Sequence, residues 1–174
     1  MSRRGRLALN IYLGLLILGS AALLQSSVPP LPVLGIRPSL VLLLVVCWSI
    51  VRGGLEGIWW GVIGGLALDI LSGGPWGVST LALTLVAWLA GLAEVNLSRS
   101  NILFPTALVL GTSLLYDLAC MALLSLVGWQ MALLDTFLVI ILPTAIINVL
   151  LTFVIWPLVL ALNHLVGGGR QLRW

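Results

Sequence analysis

The feature that most constrains this chain is a succession of apolar runs, at residues 7–28, 38–51, 55–71, 78–95, 103–127 and 132–166, separated by short breaks of glycine, proline and polar residues. Inside hydrocarbon every backbone N–H and C=O needs a partner within the protein, so only helices and closed barrels are open to such a chain. The runs are too long for barrel strands and do not alternate apolar with polar, which leaves helices. With 61% of residues hydrophobic, 7% charged and a mean hydropathy of +1.22, the chain has too little polarity to cover a water-facing surface. An all-α polytopic membrane protein follows. Its 174 residues accommodate about six spans of roughly 20 residues with short connections and no folded soluble domain.

The spans are placed at 7–28, 38–51, 55–71, 78–95, 103–127 and 143–164, as one transmembrane domain. Arg3, Arg4 and Arg6 precede the first, and Pro29, Pro30, Leu31 and Pro32 close it. Although Ser2, Arg3, Arg4 has the look of a twin-arginine signal, the apolar core outruns the ~7 to 15 residues of a cleaved signal, so this reads as a retained start anchor. Arg52, Gly53 and Gly54 make a tight corner between the second and third spans, and Ser72, Gly73, Gly74 and Pro75 end the third. The run from 132 to 166 is too long for one upright span at about 1.5 Å per residue. Pro143 and Pro157 are expected to bend or divide it, giving an outer-surface segment up to Pro143 and the sixth span beyond.

Charge then sets the topology. There is no lysine, and with the N-terminus inside, Arg3, Arg4, Arg6, Arg52, Arg99, Arg170 and Arg173 all fall on the cytoplasmic face; only Arg37 falls outside. Loop arginines concentrate on the cytoplasmic side, so this split supports six spans with both termini cytoplasmic.

Arg37 opens the second span at the outer side, Asp69 lies near the outer end of the third, and Asp117 lies in the outer half of the fifth. A charge in hydrocarbon costs several kcal/mol unless paired or hydrated. Arg37 is therefore expected to pair with Asp69, Asp117 or both, either as a structural lock on three helices or as a site for a partner or ligand. On the third span Gly57, Gly61, Gly65, Asp69 and Gly73 recur every four residues, with Gly64 beside them, leaving a groove almost bare of side chains. A neighbouring helix of the same chain or a partner's transmembrane helix can lie in it, and the ridge also allows a homodimer.

Signs of catalysis are sparse. Cys47 and Cys120 sit in apolar runs as small hydrophobes, His164 is alone and gives no metal site, and neither a phosphate-binding loop nor a serine-nucleophile elbow occurs. No cofactor and no nucleic acid is implied. Tyr116, Asp117 resembles the Tyr-Asp of aspartyl intramembrane proteases, but Gly65, Leu66, Ala67, Leu68, Asp69 does not supply the family's Gly-x-Gly-Asp. The chain reads as a non-enzyme, with its tryptophans marking membrane interfaces or filling the bundle.

From Gly35 to Gly91 the chain resembles the bacterial rod-shape-determining membrane protein family MreD. The resemblance rests on Ile36, Arg37, Pro38 leading into an all-aliphatic helix, then Arg52, Gly53, Gly54 with Glu56, Gly57, and then Gly61, Gly64, Gly65, Asp69 and Ser72, Gly73, Gly74, Pro75, Trp76, Gly77. Size, six-span plan and short termini agree along the whole chain, whereas the other helices match mainly in hydropathy, so Asp117 is not carried over. The resemblance implies a scaffold of the cell-elongation complex in the bacterial cytoplasmic membrane, binding the bitopic MreC. The filament protein MreB, the elongation glycosyltransferase and a class B transpeptidase are implied as further partners, besides membrane lipids. Such chains are also similar, in size and six-helix plan, to the substrate-binding membrane subunits of energy-coupling-factor vitamin transporters. That similarity implies an alternative function, binding of a small ligand near the outer face.

Overall fold

A computed structural model describes residues 3–27, 38–93, 103–128 and 133–165. The regular elements there are all helical: α1 (Arg3–Ser27), α2 (Leu40–Arg52), α3 (Gly54–Ser72), α4 (Val78–Leu92), α5 (Leu103–Leu126), α6 (Leu133–Thr136), a π-helical turn (Phe137–Ile141) and α7 (Leu142–Leu165). Three helical stretches, Gly54–Ser72, Leu103–Leu126 and Phe137–His164, are long and apolar enough to cross a membrane, and Gly14–Ser27, Leu40–Arg52 and Val78–Leu92 are shorter apolar helices.

Helix α2 is the centre of the bundle. Every residue from Val41 to Val51 is buried, because α1, α3, α4, α5 and α7 all pack against it. Its β-branched sequence is a poor helix former in water. Enclosed on all sides, its backbone has no hydrogen-bonding option except the helical one. Leu18 and Ala22 of α1, Leu83 and Val86 of α4, Val109 of α5 and Ile155 and Val159 of α7 complete the core around it. Since lipid is as apolar as these side chains, what holds them together is close packing more than expulsion from water.

Two glycines set the corners. Gly53, at φ +93°, ends α2 while its N–H bonds the Ser49 carbonyl at 2.8 Å, and α3 starts at the next residue. Gly73, at φ +65°, ends α3 in the left-handed region where a side chain is disfavoured.

The structure differs from the sequence expectation at the last run. Where Pro143 is expected to separate a surface segment from the sixth span, the chain stays helical from Leu133 to Leu165. Proline lacks the N–H that would continue the ladder, and the turn before it is rewound: the Leu142 N–H reaches back five residues to the Phe137 carbonyl. The Thr144 hydroxyl adds a bond to the Ile140 carbonyl at 2.7 Å. Pro157 is likewise carried inside α7. At the end of the fourth run the α-helix stops at Leu92, short of residue 95.

Candidate functional site

Asp69 ends up in a different role from that of a free intramembrane charge. It is 2% exposed, and its carboxylate accepts from the first turn of α4. Gly77 N–H donates to Oδ2 at 3.0 Å, Ser79 N–H to Oδ1 at 2.9 Å, and Thr80 N–H and Thr80 Oγ1 to Oδ2 at 3.1 and 2.6 Å. A helix N-terminus presents unsatisfied N–H groups and a positive dipole end, so a carboxylate from the neighbouring helix caps it and is itself desolvated at less cost. Arg37, its expected partner, lies outside the described residues.

The glycine ridge runs between α3 and its neighbours. A Cβ on Gly61 would lie 2.9 Å from the Thr84 Cα, one on Gly65 would run into the backbone of Thr80, and one on Gly57 would meet the Ser49 side chain and the Ala87 carbonyl. Gly64 turns instead toward Val41 of α2 and Leu83 of α4. Gly73 stands apart, with open space around it. At the far end of the same pair Gly54 and Gly91 touch backbone to backbone, so α3 and α4 are pressed together over their whole shared length.

Asp117 lies on the partly buried side of α5, and its covered Oδ2 meets no hydrogen-bond partner among the described residues. Beside it Tyr116 reaches Ser79 in the first turn of α4, which sets this part of α5 next to the capped end. The two aspartates therefore share a region, but one carboxylate is fully engaged and the other is not.

Sequence reasoning missed a second group of polar residues at the start of α2. Asn148 of α7, fully buried, accepts the Ser39 N–H at 3.1 Å through Oδ1 and donates through Nδ2 to Ser113 Oγ of α5 at 2.7 Å. Gln25 of α1 accepts the Val41 N–H at 3.1 Å. The signal was there as Thr144, Asn148 and Thr152, a polar stripe of period four inside an otherwise apolar run. Thr152 and Thr112 turn their hydroxyls onto carbonyls of their own helices, leaving Asn148 as the residue that joins α2, α5 and α7. Gln25 also lines a shallow crevice of about 170 Å³ with Ser26, Leu68, Leu71 and Ser72.

Of the basic residues, Arg3, Arg4 and Arg6 fall in the first turns of α1, where the side chains are not described, and Arg99, Arg170 and Arg173 lie outside the described residues. Arg52 closes α2 with its guanidinium carbon 5.2 Å from the centre of the Trp48 ring. Trp48 stacks on Trp60 of α3 at 4.2 Å between ring centres and 16° between planes, and Gly14 of α1 leaves room for the Trp60 ring. A cation over stacked indoles secures the corner where α2 turns into α3.

Residues 6–166 match the family model described as rod shape-determining protein MreD. No curated protein and no solved structure matches the chain. The family description is that of a determinant of cell shape, and the described residues are helical, with three stretches long and apolar enough to cross a membrane. The chain belongs to the MreD family of rod shape-determining membrane proteins.

Proposed function

We propose that this chain is a non-enzymatic scaffold of the cell-elongation complex in the bacterial cytoplasmic membrane, binding MreC and helping to organise side-wall peptidoglycan synthesis. The observation that carries this reading is the family match over residues 6–166. The chain crosses the bilayer six times with both termini in the cytoplasm. Helix α2 is only 13 residues long, about 20 Å at 1.5 Å per residue, and it spans as a post enclosed by the other helices. This topology gathers Arg52 and the arginines of the termini and the α4–α5 link on the inner face, where they attract anionic lipid or an acidic surface of MreB.

A protein of this build holds its partners through their transmembrane helices and the residues next to the membrane. Because α4 and α2 fill the glycine groove of α3, a partner helix or a second copy docks on a lipid-facing side instead. The elongation glycosyltransferase and the class B transpeptidase join through the same assembly. The vitamin-transporter alternative has less support: the outer crevice of about 170 Å³ falls below the roughly 300–1,000 Å³ of ordinary small-molecule sites.

Mild-detergent affinity purification of the tagged chain from its native membranes, with quantitative mass spectrometry, tests the proposal. Enrichment of MreC and the wall synthases over a matched membrane control supports it. Enrichment of a paired ATPase module in their place overturns it in favour of a transporter subunit.

A further inference from the structure

We infer that α3 and α4 enter the membrane as one zipped hairpin and not as two independently inserted spans; the inference rests on the reading of both helices as spans with the 73–77 turn on the outer side. Each helix is a weak span alone. Helix α4 has 15 residues, about 22 Å at 1.5 Å per residue, short of a hydrocarbon core of about 30 Å. Helix α3 is long enough, but its mean hydropathy of 1.3 is the lowest of the three long spans, against 1.9 for Leu103–Leu126 and 2.7 for Phe137–His164. It also carries Asp69, a carboxylate that hydrocarbon disfavours.

What each helix lacks, the other supplies. Among the described residues, the four hydrogen bonds to the Asp69 carboxylate all come from residues 77–80, at the start of α4. The same bonds satisfy three N–H groups at the α4 N-terminus, those of Gly77, Ser79 and Thr80, which would otherwise face hydrocarbon or headgroups unpaired. Gly65 and Gly61 bring the α3 backbone against that of Thr80 and Thr84, and Gly54 meets Gly91 at the opposite end. The turn between them, residues 73–77, is short and holds two glycines at positive φ, Gly73 and Gly77. Polar cancellation, close approach and a preset turn are thus all local to this pair, so the hairpin can complete itself without the rest of the bundle.

The sign of one substitution separates hairpin entry from independent insertion. Gly65→Leu makes α3 more hydrophobic, which favours insertion of a lone helix, yet it places a side chain on the backbone of Thr80. The readout is a cysteine at the exposed position 76, Trp76→Cys, in the full chain with Cys47 and Cys120 replaced by alanine. It is labelled within a minute of synthesis in spheroplasts with a membrane-impermeant maleimide. The parent is expected to label from outside, and adding Gly65→Leu is expected to cut that labelling at least threefold. Gly111→Leu on α5, where the new side chain meets open space, is expected to leave it unchanged. Equal or greater labelling with Gly65→Leu overturns the hairpin inference while leaving the topology standing. A parent labelled only in inside-out vesicles overturns the topology itself and the inference with it.

Discussion

Thr80 binds Asp69 twice, its amide N–H at 3.1 Å and its hydroxyl at 2.6 Å both donating to the same carboxylate oxygen. This places the capping group of α4 on a different helix, eleven residues upstream, so the end of α3 and the start of α4 are defined by one side chain. Ordinary N-caps are local and leave the helix free to move with respect to its neighbours. Here capping and helix pairing are one interaction, and losing it loosens both.

Asp69→Ala is accordingly expected to destabilise the folded protein by about 2 to 4 kcal/mol, more than the ~0.5 to 2 kcal/mol of an ordinary cap, because hydrogen bonds to a charged acceptor count for more. Ser72→Ala, whose hydroxyl makes two long bonds, donating to the Asp69 carbonyl and accepting from the Gly74 N–H at 3.4 Å each, serves as control with a change under about 0.5 kcal/mol. Thermal unfolding in detergent followed by circular dichroism reads both. Equal midpoints for the two variants would mean the cap contributes little.

Gly61→Leu is expected to abolish the folded, monodisperse peak in fluorescence-detected size exclusion. The added Cβ alone lies 2.9 Å from the Thr84 Cα, and backbone, unlike a flexible side chain, cannot turn aside; overpacking of even a yielding core costs about 1 to 3 kcal/mol. Gly19→Leu, which meets nothing within 4 Å, should keep the peak. A folded Gly61→Leu protein that has lost only its partner would instead move the groove from internal packing to docking.

The bundle class was legible because apolar run length is a one-dimensional property, and the α2–α3 corner was legible because Gly53 and Gly54 interrupt it. Asp69 was legible as a buried charge needing partners, but not as a cap, since its donors are backbone N–H groups that carry no residue-type signal. Pro143 misled for a related reason. A proline predicts a lost hydrogen bond, but it announces neither the rewinding of residues 137–141 that absorbs the loss nor the bond that the Thr144 hydroxyl adds to the Ile140 carbonyl. Asn148 passed unnoticed among aliphatic neighbours because its two partners come from Ser39 and Ser113, remote in sequence.

Asn148 and Ser113 provide a measurable coupling. Interhelical hydrogen bonds in membranes average about 0.6 kcal/mol and reach about 1.7, and the 2.7 Å bond between two buried groups belongs toward the upper end. A double-mutant cycle with Asn148→Ala and Ser113→Ala is expected to give about 1 to 1.7 kcal/mol. Asn148→Ala alone should cost more than Ser113→Ala, since it also removes the acceptor of the Ser39 N–H. A coupling within error of zero would show that the Asn148–Ser113 bond contributes nothing to holding α5 against α7.

The two aspartates should respond oppositely to the same change. Asparagine at position 69 keeps an acceptor but loses the charge that complements the α4 N-terminus, and it brings N–H groups against donors. Asp69→Asn is therefore destabilising, by about 1 to 2 kcal/mol. At position 117 the covered Oδ2 has no hydrogen-bond partner among the described residues, and replacing a carboxylate by a neutral amide relieves the cost of holding a charge in an apolar setting. Asp117→Asn is expected to leave stability unchanged or to raise it. Unfolding of both variants in the same detergent checks the contrast. Loss of stability at position 117 comparable to that at 69, restored by exchanging charges between Arg37 and Asp117, would establish the ion pair expected from sequence and make Asp117 part of the lock on α2 and α5.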